Sequence, residues 1–240
     1  MTGKVRGRGR FVATPVAKRI VCLANSRKMS GRCVAGRELA SGIPAGWVRP
    51  VSARPHEEVA LEEQTYKTGE IPQLLDIIDI VFTAARPGAH QPENWLLSPD
   101  YYWTRQGRFD VARLPSLLDP PAPLWLNGIH TYSGRNDEIP VAWLPNLGGS
   151  LRFIWVQSLQ LQAFRPGAAF GNPKRRVQAQ FSYGQDEYKL WVTDPVAEER
   201  YLAVPDGVHQ LGPSYLTVSV GEPFNDCCYK LVAAVIGGAS

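Results

Sequence analysis

The 240-residue chain has 44% hydrophobic and 20% charged residues, which excludes an intrinsically disordered chain and leaves ample length for a buried core. It contains no run of about 18 apolar residues, which excludes an apolar helical membrane span. Its net charge of +4 is unevenly placed: residues 1–37 hold ten bases and no acid, and the remainder holds 16 bases against 22 acids. Those ten are Lys4, Arg6, Arg8, Arg10, Lys18, Arg19, Arg27, Lys28, Arg32 and Arg37. Such asymmetry points to a localised site for polyanions.

Residues 1–17 read as a flexible basic arm, with Gly3, Gly7 and Gly9 among the bases and Pro15 near its end. Lys18 and Arg19 precede a short apolar run, so no secretory signal core is expected. A first module is expected over residues 18–100. Its first strand is the β-branched run Ile20–Ala24, followed by a polar turn over Asn25–Gly31 and a returning strand over Arg32–Leu39. A loop with Gly42, Pro44 and Gly46 leads to a short strand over Trp47–Val51, where Pro50 marks an edge or a strand end. Leu74–Phe82 is a long strand candidate, favoured over a helix by its β-branched residues.

A connector is expected over residues 101–149. Val111, Leu114 and Leu117 recur at helical spacing; Asp110 can cap that segment and Pro120-Pro121 ends it. The Pro/Gly-rich stretch Pro145–Ser150 is the boundary. From residue 150 to 240 the pattern becomes regular. Leu159, Leu161 and Ala163 alternate with Gln160 and Gln162, and Val177, Ala179, Phe181 and Tyr183 alternate with Gln178, Gln180 and Ser182. A turn at Tyr183–Glu187 makes a hairpin with Tyr188–Thr193, and Tyr215–Val220 and Tyr229–Ile236 follow. Five short strands with turn signals predict a small closed barrel. The missing helix–strand alternation argues against a doubly wound parallel sheet.

No enzyme motif stands out: phosphate-binding loop, nucleophile elbow and His-Glu-x-x-His are all absent. His56, His90, His130 and His209 are scattered, and Cys22, Cys33, Cys227 and Cys228 lack metal-site spacing, so neither a metal nor a cofactor is expected. Reduced thiols in a cytosolic protein are the simplest reading of those cysteines. Asp76 and Asp79 are three apart, on opposite faces of a strand, and make a poor acid–base pair. Asp137-Glu138 and Glu198-Glu199 read as solvated turns.

The positive signal is a group of bases in a turn with an aromatic nearby: Ser26, Arg27, Lys28 and Gly31, then Arg32 and Arg37 along the next strand, then Trp47 and Arg49. Fixed cations suit phosphates, small residues let backbone N–H groups approach them, and a flat π surface suits an unpaired base. The competing reading makes Arg27 and Lys28 ordinary solvated residues and Trp47 a core side chain. A second basic cluster is Lys174, Arg175 and Arg176, with Arg165 upstream. Phe181, on the same strand face as Val177 and Ala179, is expected in the core.

Three blocks near the start (Lys18–Lys28, Gly31–Gly36 and Gly46–Ser52) and two near the end (Tyr188–Pro195 and Tyr229–Ile236) are similar to the bacterial dual OB-containing domain proteins. The resemblance runs from about residue 18 to 236, leaving the Arg-Gly arm outside. It implies a mainly β fold of two tandem small OB-like β-barrels with a short helical or irregular connector. It also implies recognition of nucleic acid or a nucleotide in a prokaryotic defence or mobile-element setting, and it carries over no catalytic residues. Its first motif, taken as a ligand site, maps to Ser26, Arg27, Lys28, Gly31, Arg32, Trp47 and Arg49.

The expected function is therefore a non-catalytic, cytoplasmic module that binds nucleic acid, single-stranded in preference, or a nucleotide. An effector protein or larger complex is a further expected partner, and a membrane is not. The alternative is a protein-interaction or scaffold subunit. An enzyme with a dispersed site ranks lowest, because Glu38 is the one acid that the sequence places near the basic turn.

Overall fold

The computed structural model describes residues 14–237. The arm's Lys4, Arg6, Arg8 and Arg10 lie outside the described residues. In chain order the strands are β1 (Val16–Lys28), β2 (Gly31–Ala40), β3 (Ile43–Val51), β4 (Asp76–Ala85), β5 (Asn94–Leu97), β6 (Thr104–Arg108), β7 (Glu138–Pro140), β8 (Leu151–Phe164), β9 (Arg176–Tyr183), β10 (Asp186–Val192), β11 (Gly207–Val220) and β12 (Cys227–Gly237). Among the described residues two α-helices, α1 (Leu61–Gln64) and α2 (Pro195–Leu202), and three short 3-10 turns complete them.

The strands close into two rings of five. The first runs β1-β2-β3-β5-β4 and back to β1. The second runs β8-β9-β10-β12-β11 and back to β8. In both, the third and fifth strands in chain order, β3 with β5 and β10 with β12, pair in parallel and every other neighbour is antiparallel. Closure of this kind removes the exposed edges that an open sheet would leave. The protein is thus two OB-like barrels of one topology, as expected. Residues 101–149 add a strand to each sheet, β6 on β4 and β7 on β12.

The hydrophobic pattern explains why these segments are strands. Ile20 and Cys22 face the first barrel's core with Val34, Val48, Ile78, Ile80 and Phe82. Their alternates Val21 and Leu23 face outward, yet they pack on Leu114 and Leu117 of the connector and on Phe153 and Ile236 of the second barrel. An apolar run without alternation is what a strand buried on both faces requires. Leu159, Leu161, Val177, Ala179, Phe181, Tyr188 and Leu190 fill the second core, so Phe181 is a core residue. The expected helix near Asp110 is a 3-10 turn, Val111–Leu117, whose Ala112 N–H is capped by Asp110.

The expected polar turn over Asn25–Gly31 is shorter than the composition indicates. Both strands continue to its tip, with Arg27 opposite Arg32 and Lys28 opposite Gly31, leaving Met29 (φ 47°) and Ser30 as the turn. The strand persists because it has a partner outside its own barrel: Arg27 N–H donates to the Thr193 carbonyl at 2.8 Å. The helix α2 was not foreseen, although Asp194 caps its Val196 and Ala197 N–H groups and Pro195 occupies its first position. Among the described residues no helix is long and apolar enough to cross a membrane.

Candidate functional site

The β1–β2 hairpin of the first barrel reaches across to the second barrel and forms one wall of a cleft of about 610 Å³. Ser26, Arg27, Lys28 and Arg49 come from the first barrel; Arg176, Trp191, Thr193, Glu222, Phe224 and Tyr229 come from the second. Ser26, Arg27, Lys28, Arg49 and Arg176, singled out from sequence, therefore meet on one surface although up to 150 residues separate them.

Each cation is held differently. Arg27 Nε donates to Glu198 Oε2 at 3.1 Å, with the Arg27 side chain 56% exposed. Lys28 Nζ pairs with Glu222 at 2.6 Å. Arg49 is buried; its Nη2 donates to Ser150 Oγ at 2.7 Å and lies 3.3 Å from Glu93, while its buried Nε has no partner. Ser150 Oγ in turn donates to Glu93. Arg176 lies 3.9 Å over the Trp191 ring, on whose indole Phe164 also stacks. No carboxylate among the described residues pairs with Arg176, and burial lowers its pKa while Glu198 opposes that effect. Among the described residues, four lining cations thus face three carboxylates, and the cation with no carboxylate partner is the one on Trp191.

Gly31 and Arg32 stand just outside the cleft. A Cβ on Gly31 would come within 2.5 Å of the Val59 carbonyl, because Arg32 and Val59 exchange backbone hydrogen bonds of 2.8 and 2.9 Å beside it. Arg32 is half-buried; burial and then the Arg27 charge lower its pKa, against Glu198. Arg37 and Trp47 are elsewhere, against the connector. Arg37 pairs with Asp119 at 2.8 Å and donates to the Leu117 and Ala45 carbonyls, and Trp47 Nε1 donates to Asp119 at 3.2 Å. Asp119 also accepts from Phe153 N at 2.7 Å, so this group fastens the connector to both barrels. Arg175 bonds Asp206 and the Leu202 and Val204 carbonyls, tying β9 to the segment after α2. Lys174 is exposed.

Several participants escaped the sequence reading. Trp191, Phe224, Tyr229 and Gln91 line the cleft, Glu222 pairs there, and Glu198 pairs from α2. Glu198 and Asp137, read as solvated turn acids, are not. Glu198 is 17% exposed in its ion pair. Asp137 is 1% exposed and accepts from Thr131 N at 2.9 Å and Thr131 Oγ1 at 2.7 Å. The loop between Leu126 and Asp137 is further held by Lys230, which is wholly buried and donates to the Leu126 carbonyl at 2.5 Å and Asn127 Oδ1 at 2.9 Å. Burial pushes the Lys230 amine down to about 7, against the pull of Asp137 and Asp186. Among the described residues no group of three or more His, Cys, Asp or Glu could hold a metal ion.

The arrangement offers cations, a half-buried indole and two further aromatic rings in one concavity. Such a surface can pair with phosphate oxygens and stack a flat ring on aromatic or guanidinium planes. The family model described as the dual OB-containing domain matches residues 18–235. No curated protein and no solved structure matches the chain.

Proposed function

Since the chain belongs to the dual OB-containing domain family, we propose that it is a non-catalytic binder of single-stranded nucleic acid that works through the cleft between its barrels. Membership supports a nucleic-acid- or protein-binding module, and the cleft chemistry favours the first. The observation that carries this reading is the convergence of Arg27 and Lys28 from one barrel with Arg176 on Trp191 from the other. A cleft of about 610 Å³ is the size that holds a nucleotide-scale group. A single nucleotide is its minimal ligand.

The Glu198 carboxylate does not close Arg27 to an anion. Arg27 is largely exposed, and exposed ion pairs contribute about 0–1 kcal/mol, which a phosphate can replace. The four cysteines are all free, which supports work in a reducing cytoplasm. An effector protein that acts on the bound state, within a prokaryotic defence or mobile-element system, is part of the same proposal.

The test is an anisotropy titration of fluorescent single-stranded and duplex DNA and RNA across a salt series. Single strands should bind more tightly, and the affinity should fall linearly with salt on logarithmic axes. The Arg27→Ala/Lys28→Ala protein should bind about tenfold or more weakly and show a slope smaller by roughly 0.7 for each phosphate that it no longer neutralises. Unchanged affinity in the folded double variant removes the cleft from consideration. Absence of binding at low salt moves the function to protein interaction.

A further inference from the structure

We propose that Tyr132 and Phe170 form a second stacking site that takes the single strand as it leaves the cleft; this rests on the single-strand reading above. Tyr132 is 92% exposed and Phe170 79% exposed, the two highest values among the exposed large hydrophobic residues described. Their ring centroids are 6.5 Å apart at 77°, an edge-to-face contact. Rings this open bury little area against the fold, so neither contributes much to its stability. Their faces are available to a base.

Both rings are tied to the cleft by the chain itself. Thr131 lines the cleft, and Tyr132 is the next residue, about 3.8 Å along the backbone. Arg176 lines the cleft, and the segment leading into it carries Phe170 and Lys174. Neither ring stands on a loose loop. Asp137 holds Thr131 through its N–H and hydroxyl, and buried Gln178 donates to the Ser133 carbonyl at 2.7 Å. Gly134 packs so closely on the Asp137 carboxylate that any Cβ there would collide with it. Phe170 ends a 3-10 turn closed by Gly171 at φ 74°. Preorganised aromatic groups lose little entropy when a ligand docks.

Charge selects the occupant. Arg165 and Arg175 share the single carboxylate of Asp206, and Lys174 is exposed beside them, so the surroundings of Phe170 carry excess positive charge. Exposed rings with excess cations are the combination that tracks a single strand and stacks its bases irrespective of sequence.

The experiment uses the full chain and two fluorescein-labelled oligothymidylates, of about 3 and about 12 nucleotides, a span suited to one OB fold's site size. The Tyr132→Ala/Phe170→Ala protein should bind the longer oligomer at least about tenfold more weakly, because each stacked base contributes roughly 1–3 kcal/mol. It should bind the shorter one as the parent does, and its thermal melt should coincide with the parent's. Equal loss for both lengths, or loss for neither, overturns the second site while the cleft stands. If the parent protein binds neither oligomer and the Arg27 and Lys28 test has also failed, the single-strand reading falls and takes this one with it.

Discussion

Arg37 on Trp47 and Arg176 on Trp191 are the same chemical pair placed in two settings. In the first the guanidinium lies 5.0 Å from the ring centroid, and all three of its nitrogens are engaged, by Asp119 and by the Leu117 and Ala45 carbonyls. Asp119 also takes the indole N–H. In the second the guanidinium lies 3.9 Å from the centroid, in the cleft wall, with no carboxylate partner among the described residues. An Arg–Trp pair is a fastening when its hydrogen-bonding capacity is spent inside the protein. Where that capacity is left unspent, as at Arg176 among the described residues, the pair is available to a ligand.

The strongest way to break the comparison is at the fastening. Asp119→Ala leaves Arg37, the Trp47 N–H and the Phe153 N–H without their shared acceptor at a site 10–12% exposed. Breaking a largely buried pair costs about 3–5 kcal/mol, and for a chain of this length that corresponds to a fall in Tm on the order of 10 °C. Nucleic-acid affinity measured on the protein that remains folded should be unchanged. A melt within about 2 °C of the parent's, the range of an ordinary surface substitution, would make Arg37 and Trp47 an idle cluster.

The Arg176–Trp191 pair, proposed as the recognition element, should respond in the opposite sense. Arg176→Ala removes a cation and a stacking plane from the cleft and leaves no carboxylate stranded. Its stability cost should stay near ~1 kcal/mol, the scale of a partly desolvated cation–π contact. Its binding should drop by roughly 5- to 100-fold, since stacking contributes about 1–3 kcal/mol per base. Arg176→Lys should recover the salt dependence but not the full affinity, because a lysine cannot offer a plane. A variant that loses stability and keeps its affinity would place Arg176 with Arg37.

These two pairs also mark how far a sequence carries. The barrels were legible because their faces differ. The strand over Leu159–Ala163 alternates with one face in the core, and Ile20–Ala24 is continuously apolar because both of its faces are covered. The candidate site was legible as a set of bases but not as a place. Arg27 and Glu198 are 171 positions apart, and no local pattern says that a helical acid will meet a hairpin tip. The same gap made Glu198 and Asp137 look solvated. Trp47 and Trp191 each sit near an arginine in space, and the choice between them depends on Asp119, 72 positions from Trp47. The Asp194-Pro195 start of α2, by contrast, is a local signal: a capping acid followed by a proline in the first helical position. The cleft itself exists only where two barrels meet, which local periodicity does not encode.

The finest test concerns the carboxylate that stands between the two kinds of site. Glu198 pairs with Arg27 across the barrels and also bears electrostatically on Arg32 and Arg176. If the cleft is a phosphate site, Glu198 is a resident competitor, and a phosphate must displace or outweigh it. Glu198→Gln keeps the shape and removes the charge. The exposed end of its ion pair limits the stability loss to less than about 1 kcal/mol. Affinity for a single strand should rise by about two- to fivefold at low salt, and the gain should shrink as salt screens the removed charge. Glu199→Gln, one residue along and exposed, is the control for net charge alone. A gain confined to Glu198 identifies the cleft as the phosphate path; an equal gain from both variants reduces it to the general field of the protein, and a loss from Glu198→Gln would assign that carboxylate to the fastenings with Asp119.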